Sequence, residues 1–115
     1  MTFVERDRAA LAALRSNIEA LRFEDQCTVV ATDSMRWLPT AGHFDVLLAD
    51  PPYDFEGWPE VFAIADADLL VVESNDKVAL PSGWESLRER TYGSTVVLLA
   101  TRQPDQSDDH DDTEE

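Results

Sequence analysis

The stretch Asp50-Pro51-Pro52-Tyr53 places a carboxylate, a stiff backbone carbonyl and an aromatic ring on four consecutive residues. Neither proline has an N–H, both have fixed φ, and Pro51 pushes Asp50 towards extended geometry. The run before it, Phe44 to Ala49, is apolar apart from Asp45 and reads as a short strand buried on both faces. The four residues therefore stand at the carboxyl end of a buried strand, where open α/β sheets place their ligands. A plain proline turn after a strand is the alternative. Acids also close other apolar runs: Glu5 after Thr2-Phe3-Val4, Asp33-Ser34 after Cys27 to Thr32, and Glu73-Ser74 after Leu69 to Val72.

The elements that position these residues follow from periodicity and punctuation. Thr2 to Glu5 is extended. Asp7 can cap a helix from about Arg8 to Arg22, with Leu11, Leu14, Ile18 and Leu21 as its apolar stripe. Cys27 to Ala31 is a second strand, and Asp33 or Ser34 can cap a short helix through Leu38 that Pro39 ends. Beyond the strand at Phe44, the pattern predicts a helix over Gly57 to Ala65 with Pro59 in its first turn. A buried strand over Leu69 to Val72 and a loop over Asn75 to Gly83 follow. Trp84 to Tyr92 and Thr95 to Thr101, separated by Gly93-Ser94, read as a terminal antiparallel hairpin. Strands alternating with helices imply an α/β fold with a mostly parallel sheet and right-handed crossovers.

With 115 residues the chain is one domain at most, and 43% hydrophobic residues suffice for a core. Its net charge of -15 is unevenly placed: seven acids and no Lys or Arg lie between Asp105 and Glu115, so the first 104 residues keep -8. The expected organisation is a domain over 1–104 and a disordered, solubilising acidic tail over 105–115. The acidic body lacks the basic face of a typical nucleic-acid binder, so attraction to phosphates comes from elsewhere or is weak. Cys27 is the only cysteine, which excludes an internal disulfide and leaves no basis for a zinc site; no metal is expected. The first residues contain no apolar signal core, and no apolar stretch approaches the roughly 18–20 residues of a membrane span. A cytoplasmic chain with no membrane partner is the expectation. His43 and His110 have no catalytic context, and Trp37, Trp58 and Trp84 read as packing residues.

The element order, with acids at successive strand ends, resembles the later part of a class I S-adenosylmethionine-dependent methyltransferase. The resemblance is to the RsmD family, which methylates the exocyclic N2 of a guanine in small-subunit ribosomal RNA. It is carried by Phe3-Val4-Glu5-Arg6-Asp7 with Asn17 beyond it, by Thr32-Asp33-Ser34 and by Phe44 to Tyr53. Leu70-Val71-Val72-Glu73-Ser74 and the Trp84…Tyr92-Gly93…Val96 hairpin also match, so the likeness spans about residues 2–102. The Asp-Pro-Pro-Tyr motif is shared with DNA adenine methyltransferases; the combined order and the Val-Glu-Ser strand end point to the RNA family.

The resemblance implies a Rossmann-like methyltransferase sheet, S-adenosyl-L-methionine as cofactor, and ribosomal RNA or the small ribosomal subunit as partner. It implies that Asp50 and the Pro51 carbonyl accept the two N–H groups of the target nitrogen, with Pro52 stiffening the corner and Tyr53 stacking on the base. Glu5 corresponds to the acid on the ribose hydroxyls, and Asp33 with Ser34 to the residues at the adenine ring. The departure is at the start. The family begins with a glycine-rich strand, turn and helix, whereas this chain has no Gly-x-Gly; its glycines are Gly42, Gly57, Gly83 and Gly93. The expectation is an N-terminally truncated methyltransferase domain lacking its first strand and glycine-rich loop, inactive as an isolated chain, and prone to self-association through unpaired strand edges. The alternatives are a non-catalytic remnant or interaction module, and an amino-methyltransferase of DNA or another RNA.

Overall fold

The computed structural model describes residues 1–52 and 54–103; Tyr53 and the acidic tail lie outside the described residues. The chain divides into two compact units, Met1–Ala41 and the part beginning at Gly42.

In the first unit β1 (Thr2–Glu5) and β2 (Thr28–Ala31) pair in parallel, Glu5 opposite Ala31. The crossover between them is α1 (Arg8–Ala20), capped by Asp7, whose side chain accepts from the Ala10 amide at 2.9 Å. Leu11 and Ile18 are its buried residues. The expected stripe runs one residue past the helix: α1 ends at Ala20, and Leu21, its C-cap, is 62% exposed. Arg22 at φ 59 then turns the chain out of the helix. After β2, Asp33 caps the single turn α2 (Ser34–Trp37), and Pro39 sits in the 3-10 turn Leu38–Thr40 that follows.

The second unit is a four-stranded sheet in the order β3-β4-β6-β5: β3 (Phe44–Ala49), β4 (Ala67–Ser74), β5 (Trp84–Tyr92) and β6 (Thr95–Arg102). β3 and β4 are parallel, joined through α3 (Trp58–Ile64), and β6 runs antiparallel to both β4 and β5. The parallel crossover and the closing hairpin are as the sequence predicts, and β4 is longer than the apolar run Leu69 to Val72 at both ends.

One face of this sheet holds the core. Leu70, Val72, Leu98 and Ala100 are at most 2% exposed and alternate along β4 and β6 as a pleated pair requires. Phe62 and Val61 of α3 and Trp84 of β5 are buried with them. Phe62 stacks edge-on to Trp84 at 5.5 Å, and the Trp84 indole N–H donates to the Phe62 carbonyl at 3.1 Å. Arg102 closes the cluster, 4.6 Å above the Trp84 ring and donating to the Ala65 carbonyl at 2.7 Å. Trp84 is a packing residue, as its sequence context indicates.

β3 departs from expectation. It is not buried on both faces: Val46 and Leu48 are 51% and 59% exposed. Leu47 and Ala49, beside the fully buried Leu70 and Val72, are half-buried. A mostly apolar run predicts two covered faces only when elements exist to cover both, and among the described residues Val46 and Leu48 have no such cover. Among the described residues no helix is long and apolar enough to cross a membrane.

Candidate active site

Asp50 follows the last residue of β3, where Pro51 forbids further ladder bonding and turns the chain out of the sheet. The turn is closed by the Phe55 amide, which donates to the Pro52 carbonyl at 3.0 Å. A cavity of about 190 Å³ opens beside it. Asp50, Pro51 and Pro52 form one wall, Glu73 and Ser74 at the end of β4 another, and Phe55 and Trp58 an aromatic third. Ser94 of the β5–β6 turn and Thr95, the first residue of β6, also reach it. A neighbouring cavity of about 340 Å³ shares Phe55, Trp58, Ser74 and Asn75 and adds Lys77.

The polar lining favours donors over anions. Asp50 and Glu73 are both exposed carboxylates. The one cation on either cavity, Lys77, lies 3.5 Å from Glu89. Ser74 Oγ accepts from the Asp76 amide at 3.2 Å, which leaves its hydroxyl proton to donate. A ligand with N–H groups and a flat apolar face matches this site; a bare phosphate does not.

The aromatic wall is held from behind. Phe55 meets Trp58 edge to face at 5.3 Å, and Trp58, only 9% exposed, leans on Phe62 at 6.4 Å. Gly57 makes room for this, since a Cβ there would stand 2.6 Å from the Phe55 ring. Phe55 and Trp58 were not legible as cavity residues in the sequence; the signal was a glycine between two aromatics directly after the proline corner.

Glu5, Asp33 and Ser34 belong to the first unit. The parallel pairing brings the ends of β1 and β2 side by side, so Glu5 and Asp33 share one edge of that sheet. Glu5 Oε2 accepts from the Arg6 and Asp7 amides, both at 3.0 Å, which pins the carboxylate. Asp33 Oδ1 accepts from the Met35 amide at 3.0 Å as a helix cap, while Oδ2 lies 3.6 Å from the Arg6 guanidinium. Ser34, the first residue of α2, is exposed.

His43 stands at the other end of β3. Its Nδ1 is 2.7 Å from Asp66 and its Nε2 3.0 Å from Asp68. The hydrogen bond to Asp66 is the main cause that raises its pKa above the ordinary 6.5, with Asp68 adding to it. Both ring nitrogens engage carboxylates, the arrangement of a charged clamp between the starts of β3 and β4.

The family described as Conserved hypothetical protein 95 matches residues 1–101. The chain is 27% identical over 112 residues to Ribosomal RNA small subunit methyltransferase D of Haemophilus influenzae, covering 86% of this chain and 58% of that one. Among solved structures it resembles yhhF of Escherichia coli, which bears a methyltransferase name, with 27% identity and a TM-score of 0.75. That likeness covers 90% of this chain and 63% of yhhF. A conserved hypothetical protein of Streptococcus pyogenes shares the fold at 24% identity, with a TM-score of 0.76 over 89% of this chain and 71% of its own. The chain thus spans less than two thirds of the length of the Haemophilus relative and of yhhF, and it belongs to the Conserved hypothetical protein 95 family, the RsmD-like methyltransferases.

Proposed function

We propose that this chain carries the base-side corner of a methyltransferase that uses S-adenosyl-L-methionine to methylate the N2 amino group of a guanine in small-subunit ribosomal RNA. The observation that supports the reading is the cavity at the β3 and β4 ends, lined by Asp50, Pro51 and Glu73 together with the aromatic rings of Phe55 and Trp58. Guanine N2 is a poor nucleophile because its lone pair is delocalised into the ring. The Asp50 carboxylate and the Pro51 carbonyl each accept one N–H, which holds the nitrogen tetrahedral with its lone pair aimed outward. The Asp50 charge also stabilises the positive charge that the nitrogen gains, and the carboxylate takes the surplus proton afterwards. Pro52 keeps the two acceptors in register, and Tyr53 stacks on the base once it has left its helix.

The cofactor supplies the methyl group. Its adenosine end suits the first unit: a pinned Glu5 carboxylate for two vicinal ribose hydroxyls, and Asp33 with Ser34 for the adenine ring. Its methionine end has no counterpart among this chain's glycines. Gly42, Gly83 and Gly93 have positive φ with open space where a side chain would stand, as in plain turns, and Gly57 faces Phe55. The polar, open cavity also admits a second reading, a non-catalytic module that binds a flat N–H donor without transferring a group.

Two measurements separate the readings. Calorimetric titration with S-adenosylmethionine should yield heat of binding at or below about 1 mM, an affinity near 4 kcal/mol; silence there removes activity by this chain alone. Grafting this chain in place of the matching part of yhhF, then mapping labelled methyl groups in small-subunit RNA, should return N2-methylguanine. Label at any other atom defeats the guanine assignment.

A further inference from the structure

Bases that carry an exocyclic amino group differ in what stands beside it. Adenine N6 and cytosine N4 each have a bare ring nitrogen as neighbour, which can only accept. Guanine N2 has a ring N–H beside it, at N1, with the O6 acceptor beyond. A site that holds an amino group and sets a second acceptor next to it therefore selects guanine. A donor at that second position would select adenine or cytosine instead.

The ends of β3 and β4 supply a second acceptor. The two strands run parallel with Ala49 opposite Val72, so Asp50 and Glu73 are the next residues on each and stand one strand spacing apart, about 4.8 Å between backbones. Both line the cavity. Neither carboxylate has a hydrogen bond or ion pair with another described residue, and the nearby Lys77 is held 3.5 Å from Glu89. Like charges on neighbouring strands repel, and a ligand that brings an N–H to each relieves both. Ser74, the next residue of β4, lines the same cavity. Its Oγ accepts from the Asp76 amide at 3.2 Å, so its proton is left for an acceptor. From Asp50 to Ser74 the rim thus offers acceptor, acceptor and donor. That is the complement of guanine read from N2 through N1 to O6.

We infer that Glu73 is the residue that selects guanine, by accepting N1–H while Ser74 donates to O6. The inference rests on the reading of Asp50 and the Pro51 carbonyl as the acceptors of the target amino group. Adenine or cytosine held there by its own amino group has no ring N–H to offer Glu73 in either orientation. A ring lone pair then faces a carboxylate, and the Ser74 proton loses its O6 acceptor. Phe55 and Trp58 give apolar contact to any base and discriminate between none.

Short oligoribonucleotides that carry one base among abasic residues test this on the full chain. The Trp58 indole resonance reports occupancy, because that ring lines the cavity. Phosphate charge is the same in every member, and the fully abasic chain gives the baseline. Guanine should bind at least about tenfold more tightly than adenine, cytosine or 2-aminopurine. The last keeps the amino group of guanine and lacks both N1–H and O6. E73L should bring these ratios to about one, whereas E73Q, which keeps an amide oxygen as acceptor, should retain most of the preference. S74A should weaken guanine about threefold or more and leave 2-aminopurine unchanged. Glu73 is exposed, so the circular dichroism spectra of its variants should match that of the parent chain. No response to any base removes the base-side reading of the cavity, and this inference with it. Equal binding of all the bases, or a guanine preference that survives E73L, overturns the inference alone.

Discussion

Asp50 and Glu73 place two carboxylates on one small cavity, but they stand differently towards the chemistry proposed for it. Asp50 is fixed by the proline that follows it, whereas Glu73 is an ordinary strand-end side chain. D50N keeps the shape and one acceptor but removes the charge that stabilises a nitrogen becoming cationic. In the yhhF graft it should cut methyl incorporation about 10²-fold, the usual loss for one electrostatic group at a reacting centre. E73Q should change the rate less than tenfold under the same labelled-methyl assay. A second residue-scale prediction concerns His43. Its folded pKa is raised by Asp66 and Asp68, so an imidazole NMR titration should give a midpoint above 6.5, and D66N should bring it back down. A raised pKa means that the clamp stabilises fully below the unfolded value of about 6.5 and fades as pH climbs through the folded midpoint. The urea midpoint should fall slightly across that window and not in H43A; His43 is half exposed, which keeps the effect small.

At the scale of elements, Trp84 ties α3 to β5 in the second unit. Trp84 is 4% exposed, and its indole N–H is the partner of the Phe62 carbonyl. W84F removes that donor and part of the ring volume, and should cost about 1–3 kcal/mol in urea unfolding, without moving the elements. The order of elements was legible because each is announced locally: Asp7 and Asp33 as caps, Gly93-Ser94 as a turn, β-branched runs as strands. What covers an element is not local. The run at Phe44 to Ala49 has the same composition whether one face or two are packed, so the exposure of Val46 and Leu48 had no sequence signal. The end of α1 was missed for a related reason: Leu21 continues the apolar spacing, and the positive φ at Arg22 that ends the helix has no apolar signature. Of the candidate site, the acids were readable from their strand ends, while Phe55 and Trp58 required the fold of the loop after Pro52 to meet Glu73 and Ser74.

For the molecule as a whole, the charge is the property that travels furthest. Seven of its acids fall between Asp105 and Glu115, a segment with no apolar residue. Deleting 105–115 should leave the melting temperature unchanged while lowering solubility near neutral pH, measured by precipitant titration. A drop in melting temperature of more than about 4 °C, the equivalent of roughly 1 kcal/mol in a chain of this size, would instead give the segment a packed role. Trp58 connects the whole to its site in another way. It is nearly enclosed by the core and also forms the floor of the cavity beside Asp50. A molecule that settles on that floor presses on the folded state itself, so occupancy and unfolding are thermodynamically linked. At one hundred times its dissociation constant such a ligand adds about 2.7 kcal/mol of stability. Melting curves recorded against a panel of nucleosides and short RNAs would therefore rank ligands for this chain without any turnover, and indole fluorescence would report the same events from within.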